Sequence, residues 1–267
     1  MDTIEDYRKI LKQITDYAFG HGISSIGIKQ VEKGRPDTWS KDVQTKFFIA
    51  CNDGFKIAQN LLIEEIKKYQ VILRQAIIEL KDARAQKNKS IQFQIQRKIK
   101  SIEQRLHNFS HIADGIAWQL IGGQIHIARR FHIQEKSMKF LDSTNLSHTM
   151  QVVEKINETP SNFALISDLT SFIQIGDLLV RSRENIEIME LKEGEVNEQI
   201  ANFLKRTEDT KSRSQDDYLK EMFDKKTFKQ IKRMQRQEER ANRAVDIINN
   251  DEGIDPVSGG HMKISKP

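Results

Sequence analysis

The 267-residue chain is short of the residues that staple, break or span. It has one cysteine, Cys51, which excludes an intramolecular disulfide and any cysteine-rich zinc site and suits a reducing compartment, so a soluble, cytoplasmic protein is expected. Four prolines and thirteen glycines are few for this length, and long helices are therefore expected to dominate. No apolar run approaches the roughly 20 residues a membrane helix needs, and the N-terminal "MDTIEDYRKILKQ" is too charged for a secretory signal, so no membrane partner is expected. Aromatic residues are only 7% of the chain and offer no stacking surface of the kind RNA-binding modules present. There is no Gly-rich phosphate loop, no Ser/His/Asp constellation and no Cys/His zinc spacing.

What is present is charge, and it is bunched. The net charge is only +5, yet Lys81 to Arg105 holds eight Lys/Arg against two acids, and Lys225 to Arg243 repeats that count. Such stripes can track a phosphate backbone, and they are also the ordinary dress of long exposed helices. Arg97 and Lys98 in the first stripe and Lys232 and Arg233 in the second are the candidate nucleic-acid contacts.

The apolar spacing predicts an antiparallel helical hairpin over about residues 55–121. Leu62, Ile66, Tyr69, Leu73, Ala76 and Leu80 form a heptad seam. After the polar "KDARAQKNKS" the seam resumes at Ile95, Ile99, Ile102, Leu106, Phe109, Ala113, Ile116 and Leu120. Gly122-Gly123 should stop the second helix. Beyond it "QIHIARRFHI", "FIQIGDLLV" and "IEIMELK" read as strands, "NEQIANFLKR" as a helix N-capped by Asn197, and Asp216 to Asn249 as a charged helix ending at the turn-like "NNDEGIDPVSGG". "FGHGISSIGIKQVEKGRPDTWS", before the hairpin, reads as loop and short structure. The expected organisation is a helical region over 1–103, a core over 104–206 into which the second helix continues, and a charged helical extension over 207–267.

The pleat gives "FIQIGDLLVRSRENIEIMELKEG" its interest. Residues two apart on a strand share a face, so Glu190 and Lys192 point together. If Arg181 faces Ile186 across a four-residue loop, Asp177 lies opposite Glu190, with Cβ atoms about 4.5–5.5 Å apart, near enough to share a cation. A shift of one residue would move Asp177 to the other face. Leucines and isoleucines occupy both faces, so unpaired charges there would cost several kcal/mol, on the order expected for buried polar groups.

The run "IGDLLV", then "IEIMELKEG", then a helix starting near Asn197 resembles the PD-(D/E)xK, or restriction-endonuclease-like, nucleases. The resemblance implies an α/β (mixed α+β) fold with a small mixed sheet flanked by helices. It further implies that Asp177 and Glu190 hold one or two Mg²⁺ ions, for which Mn²⁺ substitutes, and that Lys192 is the catalytic lysine. The motif's proline is replaced by Gly176, and the likeness is firm over some 35 residues. The same family habit adds an acid from the helix before the sheet, here Asp114, which shares a stripe with His107, His111 and Trp118, and a polar residue on the following helix, here Gln199. Each has an ordinary alternative as a polar flank or a solvent-facing side chain. Ser167, Asp168 and Thr170 read as a turn or cap, and His126, Arg129, Arg130 and His132 as strand residues, of which the two arginines are candidate phosphate contacts.

Two functional expectations follow. The first is a Mg²⁺-dependent nuclease hydrolysing DNA, with RNA as the alternative substrate, an endonuclease that works with a protein partner or as a homodimer through its helical arms, for which anti-phage defence is a natural setting. The second is a non-enzymatic helical adaptor or nucleic-acid-binding protein in which Asp177, Glu190 and Lys192 form a structural cluster.

Overall fold

The computed structural model describes residues 3–27, 39–131, 141, 146–183, 185–191, 225–250, 252–255 and 259–263. It is a mixed α+β fold, mostly helical, with long helices and a small three-stranded antiparallel sheet. Helix α1 (Ile4–Thr15) starts from a capping box between Thr3 and Asp6 and runs through a π-helical turn (Asp16–Gly20) into α2 (His21–Ile26). The hairpin follows as α3 (Lys41–Ala85) and α4 (Lys89–Leu120). Helix α3 thus begins well before the expected seam, at an N-cap where Ser40 Oγ accepts from Val43 N–H.

The hairpin seam is as the spacing predicts. Leu62, Ile66, Tyr69 and Ala76 pack against Ile102, Leu106, Phe109, Ala113 and Ile116 in one continuous cluster, all buried. Arg105 is held inside it because its guanidinium donates to Tyr69 Oη at 2.7 Å and stacks on the Tyr7 ring at 4.7 Å, which ties α1 to both arms. Gly122 and Gly123 end α4 at φ +64° and +70°, and Gly123 N–H donates to Trp118 O at 2.8 Å. Any other residue would pay a steric penalty at two successive left-handed positions.

After that stop the chain departs from expectation. "QIHIARRFHI" is not a strand: Ile125–Phe131 is a short helix, α5, entered where Gln124 O accepts from Ala128 N–H. Among its described side chains Ala128 and Phe131, three apart, are buried while Ile125 is 60% exposed, so the core selects helical spacing over the local alternation. Helix α6 (Leu146–Asn157) then leads into β1 (Phe163–Ile166), a wholly buried strand that the sequence pattern did not single out. A 3-10 turn (Ser167–Leu169) follows, and then β2 (Leu178–Arg181) and β3 (Ile186–Met189), pairing in the order β1-β2-β3. Strand β2 is thus much shorter than "FIQIGDLLV", because Phe172–Asp177 is shaped by side-chain hydrogen bonds and by Gly176. The described sheet is antiparallel throughout rather than mixed.

Helix α7 (Lys225–Asn250) packs on β3 and leads into a two-stranded hairpin, β4 (Glu252–Ile254) with β5 (His261–Lys263), where only a turn was expected. The helix expected at "NEQIANFLKR" lies outside the described residues. Among the described residues no helix is long and apolar enough to cross a membrane.

Both outer strands of the sheet are closed by carboxamides. Gln59, fully buried on α3, donates from Nε2 to Ala164 O at 2.9 Å and accepts at Oε1 from Ile166 N–H at 2.9 Å, so it stands in for a neighbouring strand beside β1. Asn249 of α7 does the same for Ile186, accepting its N–H at 3.4 Å and donating to its carbonyl at 3.2 Å. Capped edges of this kind block further strand pairing at those positions.

Candidate functional site

The β2–β3 register is the one the site requires. Arg181 pairs with Ile186, and the ladder runs through Leu179↔Ile188 to Leu178↔Met189, which brings Asp177 and Glu190 to the same end of the hairpin. The regular ladder stops there. Asp177 N–H donates to Met189 O at 2.8 Å, Asp177 O accepts from Ser167 N–H at 2.9 Å, and Leu191 N–H donates to Asp177 Oδ2 at 2.6 Å. The main chain of Asp177 is thus clamped between the turn after β1 and the end of β3, and one carboxylate oxygen is engaged by the backbone next to Glu190. Asp177 and Glu190 are both half-buried.

Gly176 makes this end possible. Its φ is +71°, and a Cβ there would collide with Ile188 Cγ2 and come within 3.0 Å of Met189 O. Proline, fixed near −65°, cannot occupy that conformation, so glycine at this position has a direct backbone reason.

Asp114 is positioned by α4 but serves the approach to the hairpin. It is 8% exposed, Oδ1 accepts from Ser171 N–H and Oδ2 from Ser171 Oγ, each at 2.7 Å, and His111 Nδ1 lies 3.4 Å from Oδ2. Nearby, Trp118 stacks on Phe172 at 5.6 Å, so the predicted stripe does face the segment leading into β2 at Asp114 and Trp118, whereas His107 and His111 are exposed. Thr170 caps the same segment, with Oγ1 donating to Ser167 O and accepting from Ile173 N–H. That is the turn role the sequence allowed it, and Asp168 is exposed. Ser167 Oγ is buried without a hydrogen-bond partner.

Lys192 and Gln199 lie outside the described residues, as do His132 and the side chains of His126 and Arg130. Arg129 is exposed on α5, on a helix rather than the expected strand. On the arms Arg97 is exposed beside the Phe93 ring, while Lys98 pairs with Glu79 at 3.1 Å across the seam and so draws the Glu79 carboxyl below its usual range. On α7, Arg233 is exposed and Lys232 half-buried. Burial lowers the Arg181 guanidinium from its ordinary value and raises the Cys51 thiol to about 11.

Among the described residues no group of three or more His, Cys, Asp or Glu side chains could hold a metal ion. The donors at the hairpin end are two carboxylates. Oxygen donors of that number suit Mg²⁺, which keeps most of its water shell and takes one or two carboxylates from the protein, and they do not suit zinc. A separate cleft of about 470 Å³ opens beside the π-helical turn, lined by Lys9, Lys12, Tyr17 and His21 among others, and it involves none of these residues.

The sequence reading passed over Gln59 and Asn249, which fix the sheet's edges. Gln59 had a legible signal, because it continues the Leu62–Ile66–Tyr69 seam one step backwards and a polar residue at a seam position asks for a buried partner. Comparison with protein-family models, with curated proteins and with solved structures finds no match.

Proposed function

We propose that the end of the β2–β3 hairpin is the active edge of a Mg²⁺-dependent nuclease of the PD-(D/E)xK type, acting on DNA. The observation that supports this reading is the register, which brings Asp177 and Glu190 to one end of an antiparallel pair, with Lys192 two residues further on in the sequence.

In this reading Asp177 and Glu190 would hold the metal, while the bond from Leu191 N–H to Asp177 Oδ2 fixes the carboxylate plane. When bound, Mg²⁺ supplies Lewis-acid polarisation of the phosphoryl oxygen and a lowered pKa for coordinated water. Lys192, two residues beyond Glu190, orients the attacking water and balances charge on the phosphate. Asp114 positions the chain entering β2 through Ser171 and is not itself a metal ligand. The helical arms serve as docking surfaces for a partner or a second copy, and an anti-phage effector is the setting that fits such a design.

The bond from Leu191 N–H to Asp177 favours a second reading, in which the carboxylates only close the hairpin and the protein is a helical adaptor. Cleavage separates the two. Supercoiled plasmid, linear duplex and single-stranded DNA are incubated with Mg²⁺ or Mn²⁺ and the parent, Lys192→Ala or Asp177→Ala/Glu190→Ala. The nuclease reading predicts cutting by the parent alone, and equal behaviour of all three proteins would leave the adaptor.

A further inference from the structure

The face of α7 that packs on the sheet changes character where the sheet ends. Ile247, Ala244, Arg240, Arg236, Arg233 and Lys229 step by 3, 4, 4, 3 and 4 residues and therefore form one stripe. Ile247 and Ala244 are fully buried, Ala244 in a cluster with Ile175 and Ile188. The next four members are exposed cations. Glu238 and Asp246 fall off the stripe and Glu239 flanks it, three residues from Arg236, so the four cations are bordered by one acid of their own helix.

Two contacts fix how this stripe lies along β3. Asn249 bonds Ile186, and Ala244 shares a small apolar cluster with Ile175 and Ile188. Five helical residues rise about 7.5 Å and two strand residues about 6.7 Å, so the helix runs antiparallel to β3 nearly in step with it. Two further strand residues reach Glu190, and the matching rise on α7 reaches Arg240. Further towards its N-terminus the helix packs against α5, with Ile231 fully buried, and carries Arg236, Arg233 and Lys229 exposed.

We infer that Lys229, Arg233, Arg236 and Arg240 form a phosphate-backbone grip that holds DNA against the Asp177–Glu190 end of the hairpin. The four cations span about 16 Å of helix axis, which matches roughly five phosphates of one strand at about 3.4 Å each. This assignment rests on the nuclease reading for its purpose and not for its physics. It differs from the sequence expectation by taking Arg233 together with Lys229, Arg236 and Arg240 and leaving out Lys232, which sits half-buried off the stripe.

The test is anisotropy of a fluorescein-labelled duplex in EDTA, so that no cleavage occurs, with affinity followed against salt. Compared are the parent, Arg233→Gln/Arg236→Gln/Arg240→Gln on α7, and Arg8→Gln/Lys9→Gln/Lys12→Gln on α1, which removes equal charge elsewhere. The α7 variant should bind at least tenfold more weakly at about 100 mM salt, with the slope of log K against log salt reduced by about 2.7, while the α1 variant stays within about twofold of the parent. Equal loss in both variants, equal binding by all three proteins, or no binding by the parent would overturn the assignment. Binding that depends on α7 in a protein that does not cut with Mg²⁺ would uphold the grip and sink the nuclease reading. Cutting that is indifferent to α7 would do the reverse.

Discussion

Gly176 and Asp177 show how closely structure and chemistry are superposed at this hairpin. Gly176→Ala places a Cβ against Ile188 at φ +71° and should cost about 2 kcal/mol or more, read as a shifted denaturation midpoint. At Asp177 the two roles come apart by substitution. Asp177→Asn keeps an acceptor for Leu191 N–H and should stay within about 1 kcal/mol of the parent, whereas Asp177→Ala leaves that N–H unpaired and should lose about 1–2 kcal/mol. In the nuclease reading both variants are equally inactive. Cys51 offers a check on the packing of α2 against α3. With its thiol raised to about 11 by burial, its thiolate fraction at pH 8 is about a thousandth, so a thiol reagent should label the native protein on the order of a hundredfold more slowly than the unfolded chain. Labelling at the unfolded rate would mean that α2 does not cover it.

At the scale of elements, the sheet's edges carry the clearest prediction. Gln59→Leu preserves volume but strands Ala164 O and Ile166 N–H in the core, and should destabilise the protein by about 3 kcal/mol in denaturant titration, more than Asn249→Ala at the other, wetter edge. The helical hairpin was legible in the sequence because a heptad seam declares itself locally, from Leu62 to Leu80 and again from Ile95 to Leu120. Strand register was legible for a similar reason, since Arg181 and Ile186 bracket a turn of fixed length. What escaped depends on tertiary contact. Ile125–Phe131 alternates like a strand yet buries Ala128 and Phe131 at helical spacing, and Phe163–Ile166 carries no alternation because both its faces are covered. Of the candidate site, the sequence reached the end of the hairpin where Asp177 and Glu190 lie but not the Leu191 N–H that bonds the Asp177 carboxylate, a contact that depends on the main-chain path after Gly176.

At the scale of the molecule, one continuous core joins Tyr7 on α1 to Ile186 on β3, and α7 closes the sheet from the side. Ala244 is the pin of that closure. Ala244→Asp puts a charge beside Ile175 and Ile188, and hydrogen exchange should then show α7 unprotected while α3 and α4 keep their protection. Loss of protection throughout would mean that α7 is integral to the core rather than docked on it. The measurement that goes most directly to the central claim is a calorimetric titration of Mn²⁺ into the parent and into Asp177→Asn/Glu190→Gln, because it needs neither a partner nor a substrate. Saturable binding by the parent should disappear in the double variant with its fold intact. Absence of binding by the parent, or equal binding by both proteins, would contradict that claim and leave Asp177 and Glu190 as the closure of a hairpin.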